Sequence, residues 1–258
     1  IAETSCRIIT AAHETGIGLT HLPVFYMQSN LDGSKLSQNQ LRFGNNSEQY
    51  FRILELARAA LSNAPKDYLL GIAPHSLRAV SPEALVEIIE AKTSGPVHIH
   101  IAEQLKEVVD FQLKFNARPV EWLLDNTAVD SKWCFNHATH LTSKEIYNSA
   151  KSGAVAGLCP ITEANLGDGI FDGSGWLLSG GKYGIGSDSN VHISLTEELR
   201  LLEYSQRLLK KERNVMSQVP GSVGHALYND SLVGGAQALG RKSGSITSGN
   251  WADLLTLD

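Results

Sequence analysis

Seven residues near the middle of the chain, Val97-His98-Ile99-His100-Ile101-Ala102-Glu103, carry the clearest chemical signal. β-Branched residues alternate with histidines after Gly95-Pro96. That is the period of two of a pleated strand, so His98 and His100 share a face. A neutral imidazole at His100 suits a Lewis-acidic divalent ion, and a carboxylate at Glu103 just past the strand suits proton transfer beside it; together they fit metal-assisted hydrolysis. The same stretch also fits a hydrogen-bonded core histidine followed by a helix-capping glutamate, and residues further along weigh between the two. His137 follows a later strand, in Asn136-His137-Ala138-Thr139-His140, and Asp188 follows another, in Gly186-Ser187-Asp188-Ser189. Two histidines, a glutamate and an aspartate at the ends of successive strands make up a hydrolase that activates water on a divalent metal. In that reading His100 is a ligand, and Asp188 ligates and accepts a proton from water. Glu103 carries the proton to the leaving nitrogen, and His137 polarises the attacked group or completes the coordination. Taken alone, Asp188 reads equally as an N-cap. His98 and His140 read as supporting residues, and His13, His21, His192 and His225 as surface or packing residues.

Positioning these groups requires strands that end side by side. Helical pattern runs to about Thr15 and stops at Gly16, a C-cap residue. Ile17–Tyr26 reads as a buried strand with Pro23 near its end, Met27–Asn46 as a polar loop, and Ser47–Leu61 as a helix. Tyr68–Ala73 is the next strand. It leads into Pro74-His75-Ser76-Leu77-Arg78 and then a helix opened by Ser81-Pro82-Glu83 and ending near Thr93. After the His98–His100 strand come helices at Gln104–Phe115 and Pro119–Leu124. A strand at Lys132–Phe135 and a helix opened by the capping box Thr142-Ser143-Lys144-Glu145 follow. Ala154–Leu158 is a strand, Cys159–Gly175 a Gly- and Asp-rich loop, and a short helix leads to a strand at Tyr183–Gly186. Helices at Leu195–Leu209 and Gly224–Leu239 precede a closing strand, Gly249–Leu257. Strand then helix, six times over, indicates an α/β protein with a parallel sheet. Because the polar residues fall at the carboxyl ends of successive strands, a (β/α)8 barrel, which gathers those ends at one mouth, is favoured over an open sheet. Only six of its eight strands are read here. The expectation is a partial barrel over residues 1–240, with the two other strands before Ile1, and β-sandwich strands over 241–258. An opening that reads as mid-helix, without an initiator methionine, suggests a fragment.

Composition narrows the function classes. The chain has 258 residues, 42% of them hydrophobic, and 22 basic against 27 acidic side chains for a net charge of −5. That is enough apolar content for a large core. No basic block suggests nucleic acid, and no apolar run suggests a membrane span. Cys6, Cys134 and Cys159 are odd in number and far apart, which favours a reducing, cytoplasmic setting over a disulfide framework.

The motifs together resemble the amidohydrolase superfamily, in its deaminase and chlorohydrolase branch. The resemblance rests on Val97 through Glu103, His137, Ser187-Asp188-Ser189 and the Gly244–Asp258 stretch. Ala73-Pro74-His75-Ser76-Leu77-Arg78-Ala79-Val80, Cys134 through Leu141, and Thr162 through Phe171 are similar more narrowly to the formiminoglutamate deiminases of histidine degradation. The resemblance implies a zinc-dependent distorted TIM-like barrel flanked by a small β-sandwich, hydrolysing N-formimino-L-glutamate to N-formyl-L-glutamate and ammonia. It implies His100 and Asp188 as metal ligands, Glu103 as proton shuttle and His137 beside the metal. Arg78, Tyr26 and His75 would hold the substrate's glutamate portion, and a homodimer is suggested. A planar, permanently charged arginine fork suits a dicarboxylate. Zinc is the default for nitrogen and oxygen ligands, with iron or manganese compatible. The family's first strand, whose His-x-His pair supplies two more ligands, is not in this sequence. Two competing readings are a related enzyme acting on a guanine-, adenosine- or triazine-type ring, and a decayed, non-catalytic paralogue.

Overall fold

The structure is a computed structural model that describes residues 2–90, 94–189, 191–217 and 220–256. The contacts divide the chain into two compact units: residues up to Ile99 together with those from Leu239 onward, and His100–Ala238.

The first unit opens with α1 (Glu3–Thr15), which ends at Gly16 with φ 74°, the left-handed cap read from the sequence. The expected strand at Ile17–Tyr26 is instead two short pieces, β1 (Thr20–His21) and β2 (Val24–Phe25). The helix α2 (Ser47–Leu61) follows, its N-terminus closed by a reciprocal Asn46–Gln49 capping box. The strand expected at Tyr68–Ala73 is likewise divided into β3 (Leu69–Leu70) and β4 (Ala73–Pro74). Thr20 pairs with Leu69 and Val24 with Ala73, so both ladders share one register and the break is local. Its cause is Pro23, which has no N–H to donate but still accepts from Ala73 N at 3.1 Å. Tyr50, on the buried face of α2, stacks on Phe25 with centroids 4.9 Å apart and donates its hydroxyl to Pro23 O at 2.9 Å. The helix thereby holds the interrupted strand. Ser81 caps α3 (Pro82–Glu90) by accepting from Ala84 N; its expected end near Thr93 lies outside the described residues.

Strand β5 (Val97–Ile101) shows the predicted alternation: Val97, Ile99 and Ile101 are buried, while His98 and His100 share the half-buried face. Within the first unit, Ile72 pairs with Val97 in parallel. The second unit begins at His100 and continues through α4 (Leu105–Phe115), α5 (Pro119–Asn126), β6 (Trp133–His137), α6 (Ser143–Ser152) and β7 (Val155–Leu158). The expected loop at Cys159–Gly175 is in fact largely helical: α7 (Pro160–Leu166) fills its first half and α8 (Gly173–Leu178) begins before its end. Pro160 at the first helical position and left-handed Gly167 at the last turn supply the start and stop, signals that the surrounding glycines and aspartates obscure. The strand β8 (Lys182–Ile185) and helices α9 (Leu195–Lys210) and α10 (Val223–Ala238) complete the unit.

The sheet order is β5-β6-β7-β8, with β6–β7 and β7–β8 parallel. Phe135, Val155, Leu158, Trp176 and Tyr183 are fully buried around it, with Ala156 between them, and burying a Val-, Leu- or Phe-sized side chain contributes roughly 1.5–3 kcal/mol. Helix α10 lies directly on β8: a Cβ at Gly234 would stand 1.9 Å from Tyr183 O, so only glycine admits that approach. The closing stretch expected as a strand forms none over residues 249–256; Trp251 N bonds to Lys242 O, and Leu254 and Leu255 are exposed. An extended run needs a partner's ladder, and no strand of the described residues supplies one. No helix among the described residues is long and apolar enough to cross a membrane.

Candidate active site

The predicted chemical residues of the second unit converge. His100 is the penultimate residue of β5, His137 the last of β6, and Asp188 follows β8. One potential ligand atom from each lies within 4.8 Å of the others, and the imidazole rings of His100 and His137 stack 5.5 Å apart. Glu103 joins them, its Oε1 3.9 Å from His137 Nε2. The backbone around these side chains is left-handed at residues other than glycine: Ala102 (φ 51°), His137 (65°), Ala138 (49°) and Asp188 (36°). Such conformations cost on the order of 1–3 kcal/mol each and persist where surrounding structure enforces them, chiefly at functional sites.

Two carboxylates that the sequence did not single out enforce this geometry. Glu107, in the first turn of α4, reaches back and accepts from Ala102 N at 2.9 Å and Glu103 N at 3.1 Å, fixing the turn that presents Glu103. Glu163, buried on α7, faces His137 Nδ1 at 3.3 Å and accepts from Cys159 N at 2.9 Å. With Nδ1 engaged by a carboxylate, His137 turns Nε2 toward Glu103, the arrangement that orients metal-site histidines. Glu163 was legible in principle: a glutamate three residues after a proline that opens a helix faces back toward the preceding strand end. The loop reading of that segment hid it. His140 is held by its Nε2 at Asp168 O, 2.8 Å away, and has a supporting role.

The electrostatics of the centre are those of carboxylates gathered around imidazoles. Burial raises the pKa of Glu103, and the charges of Asp168, Asp188 and Glu163 raise it further, opposed only by His137. Burial alone would lower His137, but its bond to Glu163 and the nearby carboxylates outweigh this and raise it. Several carboxylates thus crowd two imidazoles, a distribution that calls for a positive ion, and the His-His-Asp donor set fits a divalent metal with nitrogen and oxygen preference. Thiolate chemistry does not compete: burial pushes the Cys134 thiol up to about 12, and burial with neighbouring carboxylates raises Cys159 as well.

The remaining predicted residues, Tyr26, His75 and Arg78, form a group of their own within the first unit. Tyr26 and His75 meet edge to face with centroids 4.6 Å apart. Arg78 Nη1 donates to Ser29 O at 2.7 Å and Tyr26 Oη at 3.3 Å, and Gln28 Nε2 donates to Arg78 O. The half-buried guanidinium lies over the Tyr26 ring, 5.8 Å from its centroid.

Strand-end imidazoles, an aspartate and a neighbouring glutamate on an α/β scaffold form a donor set that could hold a divalent metal, with a carboxylate beside it. The chain belongs to the amidohydrolase family, whose model matches residues 7–258. It is 51% identical over its whole length to the formimidoylglutamate deiminase of Pseudomonas aeruginosa, and spans 57% of that protein. The fold is that of an amidohydrolase crystal structure from Brucella melitensis, with a TM-score of 0.93 and 47% identity over 97% of this chain and 56% of that one. An adenosine deaminase of Xanthomonas campestris with bound zinc shares the fold at a TM-score of 0.80 and 20% identity, over 96% of this chain and 54% of its own.

Proposed function

We propose that this chain carries the catalytic centre of a zinc-dependent formiminoglutamate deiminase, releasing ammonia from N-formimino-L-glutamate and leaving N-formyl-L-glutamate. The convergence of His100, His137 and Asp188 with Glu103 alongside carries the hydrolytic part of this reading. His100 and Asp188 would hold the metal with His137 beside it, and the ion would supply Lewis acidity for attack by water near neutral pH. Asp188 accepts the proton of the attacking water. Both protons of that water end on the departing nitrogen, relayed by Asp188 and Glu103, so that the C–N bond breaks with ammonia leaving and the water oxygen stays as the formyl carbonyl. His137, engaged at Nδ1 by Glu163, has its Nε2 on the Glu103 side, from where it would polarise the attacked formimino group. Arg78 with Tyr26 and His75 supplies the second requirement of this substrate, recognition of its carboxylates.

The amidohydrolase likeness supports reading the strands as part of a (β/α)8 barrel over residues 1–240, and residues 241–258, which form no strand among the described residues, as the approach to a small β-sandwich. The resemblance to the formiminoglutamate deiminases suggests a homodimer, and the three free, widely spaced cysteines favour a cytoplasmic setting. A substrate with carboxylates has a use for the half-buried arginine held by Ser29 O and Tyr26 Oη, whereas a flat neutral ring does not, and for that reason the deiminase reading is preferred to a ring deaminase. The test is ammonia release by the product of the whole reading frame from N-formimino-L-glutamate, guanine and adenosine. Activity on the first supports the reading, and activity confined to the rings overturns it.

A further inference from the structure

Tyr26 Oη receives two hydrogen bonds, from Gln40 Nε2 at 3.0 Å and from Arg78 Nη1 at 3.3 Å. Neither nitrogen can accept. A phenol has two lone pairs and one hydrogen; with both pairs engaged, the Tyr26 hydrogen must go to a third partner. Nor can the Gln40 amide turn over. Its Oε1 accepts from Ser37 N at 2.9 Å and Ser37 Oγ at 2.8 Å, and a backbone N–H can only donate. The carboxamide oxygen therefore faces Ser37 and its NH2 faces Tyr26. Arg78 is fixed in the same sense by Ser29 O.

We propose that Gln40 is a specificity-determining positioning residue: backed by Ser37, it makes the Tyr26 hydroxyl an obligate donor. Together with Arg78, that hydroxyl selects a substrate carboxylate over a carboxamide or any other group that must donate. The inference rests on the reading of Arg78 and Tyr26 as the carboxylate-binding group. It also gives a task to part of the long polar loop at Met27–Asn46. A carboxamide in place of the carboxylate would point its own N–H groups at donors, leaving them unsatisfied.

The test uses the product of the whole reading frame with the variants Gln40→Glu, Tyr26→Phe and their combination. In Gln40→Glu one carboxylate oxygen still takes the Ser37 bonds, while the other accepts the phenol hydrogen and withdraws it from the substrate. KM for N-formimino-L-glutamate is expected to rise roughly tenfold to a hundredfold, the loss of one charge-assisted bond, with kcat little changed. Tyr26→Phe should raise KM comparably, and adding Gln40→Glu to it should do no further harm, because Gln40 acts through the phenol. Repulsion between the new charge and the substrate, or damage to the loop, would persist without the phenol. An unchanged KM in Gln40→Glu, or an undiminished effect in the Tyr26→Phe background, overturns the inference alone. A wild-type protein that does not turn over N-formimino-L-glutamate overturns the substrate reading and the inference with it.

Discussion

Replacing Glu163 separates the support of the metal centre from its ligands. One oxygen of this buried carboxylate serves two groups at once, His137 Nδ1 at 3.3 Å and Cys159 N at 2.9 Å. Glu163→Gln can keep an oxygen in that place for both while removing the charge. Glu163→Ala removes everything, leaving the Cys159 N–H without its acceptor and the His137 ring without its anchor. An orphaned buried donor costs about 1–3 kcal/mol, and loss of a supporting contact to a metal-site histidine costs about 10- to 100-fold in metal affinity or activity. Glu163→Ala is therefore expected to unfold at lower denaturant by about 1–3 kcal/mol in metal-free protein. Its zinc affinity should fall about 10- to 100-fold in competition with a chelator. Glu163→Gln should keep most of the stability and lose less of the affinity. Zinc affinity equal to wild type in Glu163→Ala, with His100 and Asp188 intact, would refute the role given to Glu163.

Three further outcomes follow from the geometry. Glu103→Gln should retain its metal by elemental analysis while kcat falls about 10²- to 10⁴-fold, because an amide cannot relay a proton; near-normal turnover would remove Glu103 from the mechanism. Arg78→Met should raise KM for N-formimino-L-glutamate about 10- to 100-fold with a smaller change in kcat, the loss of a charge-assisted contact, and an unchanged KM would dissociate Arg78 from the substrate. Asp172 caps α8, accepting from Gly175 N at 3.1 Å and Ser174 Oγ at 2.9 Å and pairing with Lys210 at 3.3 Å; burial would raise its pKa, but these partners outweigh it and lower it. A depressed pKa means stability that is present above the unfolded value near 3.9 and lost as pH falls through the folded value. Asp172→Ala should thus cost about 0.5–2 kcal/mol at pH 7 in denaturant titrations, with the gap to wild type closing below about pH 4. A gap independent of pH would contradict the charge-based cap.

The elements that sequence made legible are those with a local physical signature. The alternation of Val97 to Ile101, the reciprocal cap at Thr142 and Glu145, and the glycine stop after Thr15 each act within a few residues, and each is found as read. What stayed hidden depends on partners distant in sequence or on a helix read as a loop. Pro23 divides a strand whose apolar content is otherwise continuous, and Leu254 and Leu255 have the composition of a strand without an edge to pair with. The strain at the centre is hidden for a different reason. Sequence flags left-handed backbone through glycine, yet here Ala102, His137, Ala138 and Asp188 adopt it. A glycine at His137 or Asp188 would relieve the strain and delete the chemistry. Ala102 and Ala138 are completely buried, and a glycine there would loosen the two turns that aim Glu103 and His137. Rigid alanines in a disfavoured conformation, held by Glu107 on one side and by the His137–Glu163 contact on the other, cost stability and gain a fixed direction for Glu103 and His137. The same logic places the supporting carboxylates in the first turns of α4 and α7: only a helix start beside the strand end can reach back to the turn under strain.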